Sequence, residues 1–124
     1  MTIATQPELA PILSRADADD DHEQVVIRQD PDTGLRLIVA IHSTVLGPSL
    51  GGMRLKRYPG GLREALGDVL ALSRTMTLKA SAAGLDLGGG KSVMLDDGRE
   101  DMREARLAAA AELIDGLGGA YITA

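Results

Sequence analysis

The sequence predicts an α/β domain, with helices packed on a mostly parallel sheet that carries at least one antiparallel strand. Three observations support this. Strand-like runs and two stretches of helical periodicity follow one another in the order β-β-α-β-α-β, and crossover helices bring the strands they join parallel. The first two runs are joined by the turn-forming segment Asp30-Pro31-Asp32-Thr33-Gly34, which pairs them antiparallel. The hydrophobic 44% contains two Tyr, no Phe and no Trp. A core of Leu, Val, Ile, Ala and Met suits helices on a sheet better than a small barrel. At 124 residues the chain is one domain's worth and buries roughly two-thirds of its unfolded surface on folding.

Residues 1–22 read as an acidic leader. Pro7 and Pro11 interrupt a weakly apolar stretch, and Asp17, Asp19, Asp20 and Asp21 follow. These carboxylates lack the spacing and the glycine of a calcium loop, so a solvated, poorly ordered segment is expected. The domain proper covers 23–124. Gln24–Arg28 and Leu35–His42 are the first two strands, and the near-continuous apolar character of the second predicts cover on both faces. Ser43–Gly61, rich in Gly and Pro, is expected to be irregular.

From Leu62, the residues Ala65, Leu66, Val69, Leu70, Leu72 and Met76 fall on one stripe at helical spacing. Lys79 lies at that helix's C-terminus. Gly84–Lys91 reads as a glycine-dense turn, Ser92–Leu95 as a short buried strand, and Asp96-Asp97-Gly98 as its break. A second helix over about 99–117 puts Met102, Ala105, Ala109, Leu113 and Leu117 on one face. Gly118-Gly119 stops it, and Ala120–Thr123 opens a last strand.

Composition excludes several functions. A net charge of −5 with two aromatics is unlike a nucleic-acid surface. The absence of Cys removes thiol nucleophiles and thiolate metal sites and fits a reducing compartment. No run approaches the roughly 18 apolar residues of a membrane span, and the N-terminus lacks the pattern of a signal peptide. A soluble, cytoplasmic protein with no membrane partner is the expectation. His22 and His42 have no second ligand at metal spacing and read as structural.

The chemistry-bearing feature is Gly84-Leu85-Asp86-Leu87-Gly88-Gly89-Gly90-Lys91, with Lys79 upstream. Glycine admits close approach of backbone to a ligand, and a lysine set in apolar surroundings beside another cation loses its preference for the charged form. The plainer alternatives are Lys79 as a cation at a helix C-terminus, Lys91 as an exposed turn lysine, and Gly51-Gly52 as a flexible turn. A phosphate loop fails: Gly90-Lys91-Ser92 matches its end, but Leu85 stands where glycine is required, and the segment leads from helix to strand. No dinucleotide fingerprint opens a helix either.

Four stretches carry a family resemblance: Leu46-Gly47-Pro48-Ser49-Leu50-Gly51-Gly52-Met53-Arg54, Arg74-Thr75-Met76-Thr77-Leu78-Lys79, Ala82–Lys91, and Tyr121-Ile122-Thr123-Ala124. Over 23–124 the chain resembles the substrate-binding, dimerisation domain of the Glu/Leu/Phe/Val dehydrogenases, in their leucine, valine and phenylalanine branch. The resemblance implies NAD-dependent oxidative deamination of an apolar L-amino acid to its 2-oxo acid and ammonium, and homo-oligomerisation through this domain. It implies that Lys79 holds the substrate carboxylate and that Lys91 is the catalytic lysine, neutral when it activates water. Gly51 and Gly52 would close around the amino-acid head, and Leu50 and Ala124 would line the side-chain pocket.

Thr75 and Leu78 depart from the glycine and tyrosine common around the first lysine, and residues 56–61 hold one extra position. The family continues into Glu-Asp-Val-Gly-Thr and an NAD-binding domain, both of which lie beyond this chain. A truncated, inactive N-terminal part is therefore the expectation. The alternatives are a stand-alone module that binds amino or oxo acids, or that assembles with dehydrogenase subunits, and an unrelated binding or structural domain.

Overall fold

The computed structural model describes residues 22–123. The acidic run and Ala124 lie outside the described residues. Among the described residues, six strands and two helices follow in order: β1 (Gln24–Asp30), β2 (Leu35–Ile41), β3 (Ser49–Gly51), β4 (Met53–Lys56), α1 (Gly61–Ala82), β5 (Gly88–Leu95), α2 (Arg103–Asp115) and β6 (Tyr121–Thr123). A 3-10 turn, Glu100–Met102, leads into α2.

The strands form one mixed sheet in the order β1-β2-β5-β3-β6, with β4 also on β5. The β1–β2 and β2–β5 pairs are antiparallel, while β3–β5, β3–β6 and β4–β5 are parallel. The predicted fold class holds. β3 and β4 keep one register against β5, Ser49 opposite Gly88 and Met53 opposite Ser92. They are a single line of chain interrupted at Gly52.

The two helices cover opposite faces. Alternation along β2 sends Ile38 and Ala40 into the α1 core with Leu66 and Val69, and Leu37, Val39 and Ile41 into the α2 core with Ala110 and Tyr121. β2 is thus buried on both sides, which is why its sequence lacks polar alternation. The α1 stripe is the predicted one, with Leu62, Ala65, Leu66 and Val69 fully buried. α1 ends three residues past Lys79. Gly84, at φ +70, lets the Leu85 N–H reach the Ala80 carbonyl (3.0 Å) and the Gly84 N–H reach that of Ser81 (3.1 Å), a Schellman closure.

Three expectations need correction. The stretch 43–61 is not wholly irregular, since β3 and β4 lie within it; alternating Ser49–Lys56 had strand pattern beneath its glycines. The glycine-dense segment is not a turn as far as Lys91. Gly88, Gly89 and Gly90 are buried strand residues in β5, because each has a neighbour where a side chain would stand.

The inner face of α2 keeps Ala109 and Leu113 of the predicted set, with Leu117 beyond the helix also on the core, but its most buried residues are Arg106 and Ala110. Ala105 is exposed and Arg106 is buried. Arg106 is tolerated inside because each guanidinium nitrogen has a partner: Nε donates to the Thr33 carbonyl (2.8 Å), and Nη1 and Nη2 donate to the two Asp97 carboxylate oxygens (2.8 Å each).

Candidate substrate site

Lys91 is in the middle of β5, opposite Ala40 of β2. Successive strand residues point to opposite faces. Val93 belongs to the α1 core, and a Cβ on Gly89 would overlap the Thr77 backbone of α1. Lys91, two residues from each, therefore leaves the sheet on the α1 side, half-buried. Leu50 pairs with Gly89, so it emerges on the same side, also half-buried. Lys79 lies one half-turn beyond Thr77, in the last turn of α1, and is exposed. The structure thus puts Leu50 and Lys91 on the side of the sheet that α1 covers, while Lys79, about 200° round the helix from the sheet-facing Thr77, is on the solvent side of that helix's last turn. Ala124 lies outside the described residues.

What brings α1 so close is the missing side chain at Gly89. Thr77 sits directly on that residue, and its hydroxyl lies 2.7 Å from His42 Nδ1. His42 in turn meets His22 edge to face, ring centroids 4.8 Å apart. His22 Nε2 lies 3.0 Å from the Leu70 carbonyl, to which it donates, and 2.8 Å from Ser73 Oγ. The two histidines fasten the C-terminal half of α1 to the sheet, in keeping with a structural role. No group of three metal-ligating side chains occurs among the described residues.

Gly51 ends β3, and Gly52 is the one-residue interruption before β4. Gly51 is buried with its α carbon against the Gly90 carbonyl, where any Cβ would collide. The Ser92 N–H donates to the Gly52 carbonyl at 3.2 Å. Beneath them, on the α2 side, lies Tyr121. Its hydroxyl donates to the Gly51 carbonyl at 2.8 Å, with Gly52 O at 3.2 Å and Ser92 Oγ at 3.0 Å. Burial pushes the Tyr121 hydroxyl above the usual tyrosine range, and the Ser92 hydrogen bond opposes that shift. Both carbonyls of the glycine pair thus accept hydrogen bonds from neighbouring strands.

Thr77, His42, Ser92 and Tyr121 were not singled out from sequence as parts of a site. A usable signal existed for Tyr121 alone, as one of two aromatics in the chain, placed in a strand beside small residues. A dinucleotide does not fit the glycines of β5. The space over Gly88, Gly89 and Gly90 is filled by Ser43, Thr77 and Tyr121 respectively, which leaves no open cradle for a pyrophosphate.

Comparison with known proteins gives a consistent picture. Residues 22–124 match the profile of "Glu/Leu/Phe/Val dehydrogenase, dimerisation domain". The chain is 53% identical over 104 residues to a leucine dehydrogenase of Geobacillus stearothermophilus, covering 84% of this chain and 28% of that protein. It is 50% identical over 103 residues to a valine dehydrogenase of Streptomyces virginiae, covering 83% and 28%. Among solved structures, L-tryptophan dehydrogenase from Nostoc punctiforme superposes with a TM-score of 0.80 at 36% identity, over 90% of this chain and 33% of that one. The chain thus spans about 28% of the length of the curated relatives it matches.

Proposed function

This chain belongs to the Glu/Leu/Phe/Val dehydrogenase family through its dimerisation domain, and on that premise we propose that it supplies the amino-acid side of an NAD-dependent L-amino-acid dehydrogenase. The substrate class is a branched-chain or other apolar L-amino acid, in keeping with the leucine and valine dehydrogenases it is similar to. The Lys79 ammonium pairs with the substrate carboxylate. Once the substrate's α carbon has lost its hydride and become an iminium carbon, the Lys91 amine accepts a proton from the water that adds there and hydrogen-bonds the oxygen so formed, and ammonia leaves to give the 2-oxo acid. The Gly51-Gly52 backbone meets the amino-acid head, while Leu50 and Ala124 face its side chain.

The observation that carries this reading is the shared side. Lys91 and Leu50 leave adjacent strands beneath α1, and the helix that bears Lys79 is seated on Gly89 between them. The glycines of β5 offer no cradle for a dinucleotide, so we assign NAD binding to the part of the relatives' length that this chain does not span. Self-association through this domain and a cytoplasmic location belong to the same proposal. No helix among the described residues is long and apolar enough to cross a membrane.

Calorimetric titration of the purified chain with leucine, valine, phenylalanine and their 2-oxo acids tests the site. Saturable binding that Lys79→Ala weakens is expected. A folded chain that binds none of them refutes the assignment.

A further inference from the structure

We propose that Tyr121 is a positioning residue for this site, holding the Gly51-Gly52 backbone at a fixed offset from Lys91. The inference rests on the substrate-site reading above. Three observations carry it, none of which concerns Lys91 directly.

The Tyr121 ring lies against Gly90 of β5. A Cβ on Gly90 would stand 2.7 Å from Tyr121 Cδ1 and 3.0 Å from Cε1, so the ring has its seat only because residue 90 is glycine. The hydroxyl then passes Ser92, whose Oγ is 3.0 Å away, and ends on the Gly51 carbonyl at 2.8 Å. Tyr121 thus touches the residues on either side of Lys91 in β5, and on the next strand it grips the glycine pair.

All of this happens on the face opposite the Lys91 side chain. Tyr121 is 2% exposed, so it meets no substrate itself. It acts through backbone.

The hydrogen-bond directions are set. Carbonyl oxygens only accept, so the single phenolic proton goes to Gly51 O, the nearer of the two carbonyls. The Ser92 hydroxyl donates to the phenolic oxygen. This relay joins three strands: β6 supplies the phenol, β5 the serine, and the β3–β4 line the acceptor. It closes on the Gly51 carbonyl, in the peptide that leads into Gly52, where that line lacks regular ladder structure. Without the hydroxyl, the stretch of backbone that meets the substrate head loses a hydrogen bond that points it.

Tyr121→Phe keeps the ring in its seat and deletes the proton. Two measurements on the purified chain test the inference. In amide hydrogen exchange, the Gly52 and Met53 amides are expected to exchange about tenfold faster in Tyr121→Phe, with β2 amides unchanged. In calorimetry, affinity for 2-oxo acids with isopropyl, isobutyl and benzyl side chains is expected to fall by one common factor, on the order of tenfold, because the clamp acts on the head they share. Ser92→Ala in the Tyr121→Phe background is expected to add little, since both changes break one relay.

Unchanged exchange at Gly52 and Met53 overturns the inference. So does faster exchange with unaltered affinity, and so does a loss that differs among the three side chains, which would mark a distorted pocket. If the unsubstituted chain binds no 2-oxo acid, the substrate-site reading itself is refuted, a result distinguishable from failure of the clamp because it appears before any substitution.

Discussion

Alanine in place of Gly89 makes the sharpest test of how this site is built, with two other glycines as internal standards. At Gly89 the added Cβ overlaps the Thr77 amide nitrogen and hydroxyl. Those are backbone and near-backbone atoms of a packed helix, so no rotamer change relieves the clash. Overpacking of a well-filled core typically costs about 1–3 kcal/mol, and displacement of a helix backbone belongs at or above the top of that range.

Gly84 has open space around it but sits at φ +70, so alanine there meets only the left-handed backbone penalty of about 1–2 kcal/mol. Gly67 is exposed within α1 with nothing within 4 Å of an added Cβ. There alanine removes backbone freedom from the unfolded chain and stabilises by about 0.5–1 kcal/mol. Urea denaturation of the three variants, at a slope near 1.5 kcal/mol per molar, is expected to raise the midpoint by roughly 0.5 M for Gly67→Ala. It should lower the midpoint by about 1 M for Gly84→Ala and by about 2 M or more for Gly89→Ala. A Gly89→Ala midpoint equal to or above that of Gly84→Ala would refute the view that α1, and with it Lys79, is held by backbone-to-backbone contact at this point.

Other outcomes are expected. Lys79→Ala should weaken 2-oxo acid binding by roughly 10- to 100-fold, as for loss of a hydrogen bond to a charged group, measured by calorimetry. The purified chain with NAD and leucine, valine or phenylalanine should show no reduction of NAD at 340 nm, about the wavelength where NADH absorbs; a measurable rate contradicts the assignment of NAD binding to polypeptide outside this chain. The Asp97 carboxyl is held well below the usual carboxylate range, first by the Arg106 side-chain hydrogen bonds and next by the Arg99 backbone N–H. Because the folded form has the depressed pKa, this contribution is fully present above the unfolded value of about 3.9 and disappears as pH falls below it. Arg106→Met should therefore flatten the acid limb of the stability–pH profile below about pH 4, read from urea midpoints between pH 7 and 2; an unaltered limb counts against the ion pair.

The fold class and the α1 stripe were legible because period and burial agree there: Leu62, Ala65, Leu66 and Val69 have no competing duty. β2 was legible for the same reason. The glycines were misread. Their density suggests a turn, yet Gly88–Gly90 are extended residues whose side chains are forbidden by Ser43, Thr77 and Tyr121, and that packing comes from parts of the chain distant in sequence. Arg106 was hidden likewise, since its burial depends on Thr33 and Asp97 meeting it from two loops. Within the candidate site, the side chains with chemistry, Lys79 and Lys91, could be picked out, and the strand partners of Leu50 and Gly51 could not. Lysines in apolar, glycine-rich sequence stand out locally, whereas a tyrosine that works through another strand's backbone leaves only a local trace of its size.

The place of β5 in the sheet has a consequence for how the molecule comes to exist. β1 and β2 form a local hairpin, but β5 pairs with β2, β3 and β4, all made long before it, and Ile41 waits for Gly90 while Leu37 waits for Met94. Contacts so far apart along the chain form slowly, because loop entropy is lost before they reward it. Until that central ribbon threads between its neighbours, Leu50 has no Gly89 beside it and α1 has nowhere to sit. Binding competence should therefore be acquired in one late, cooperative event, with no half-assembled intermediate that grips substrate.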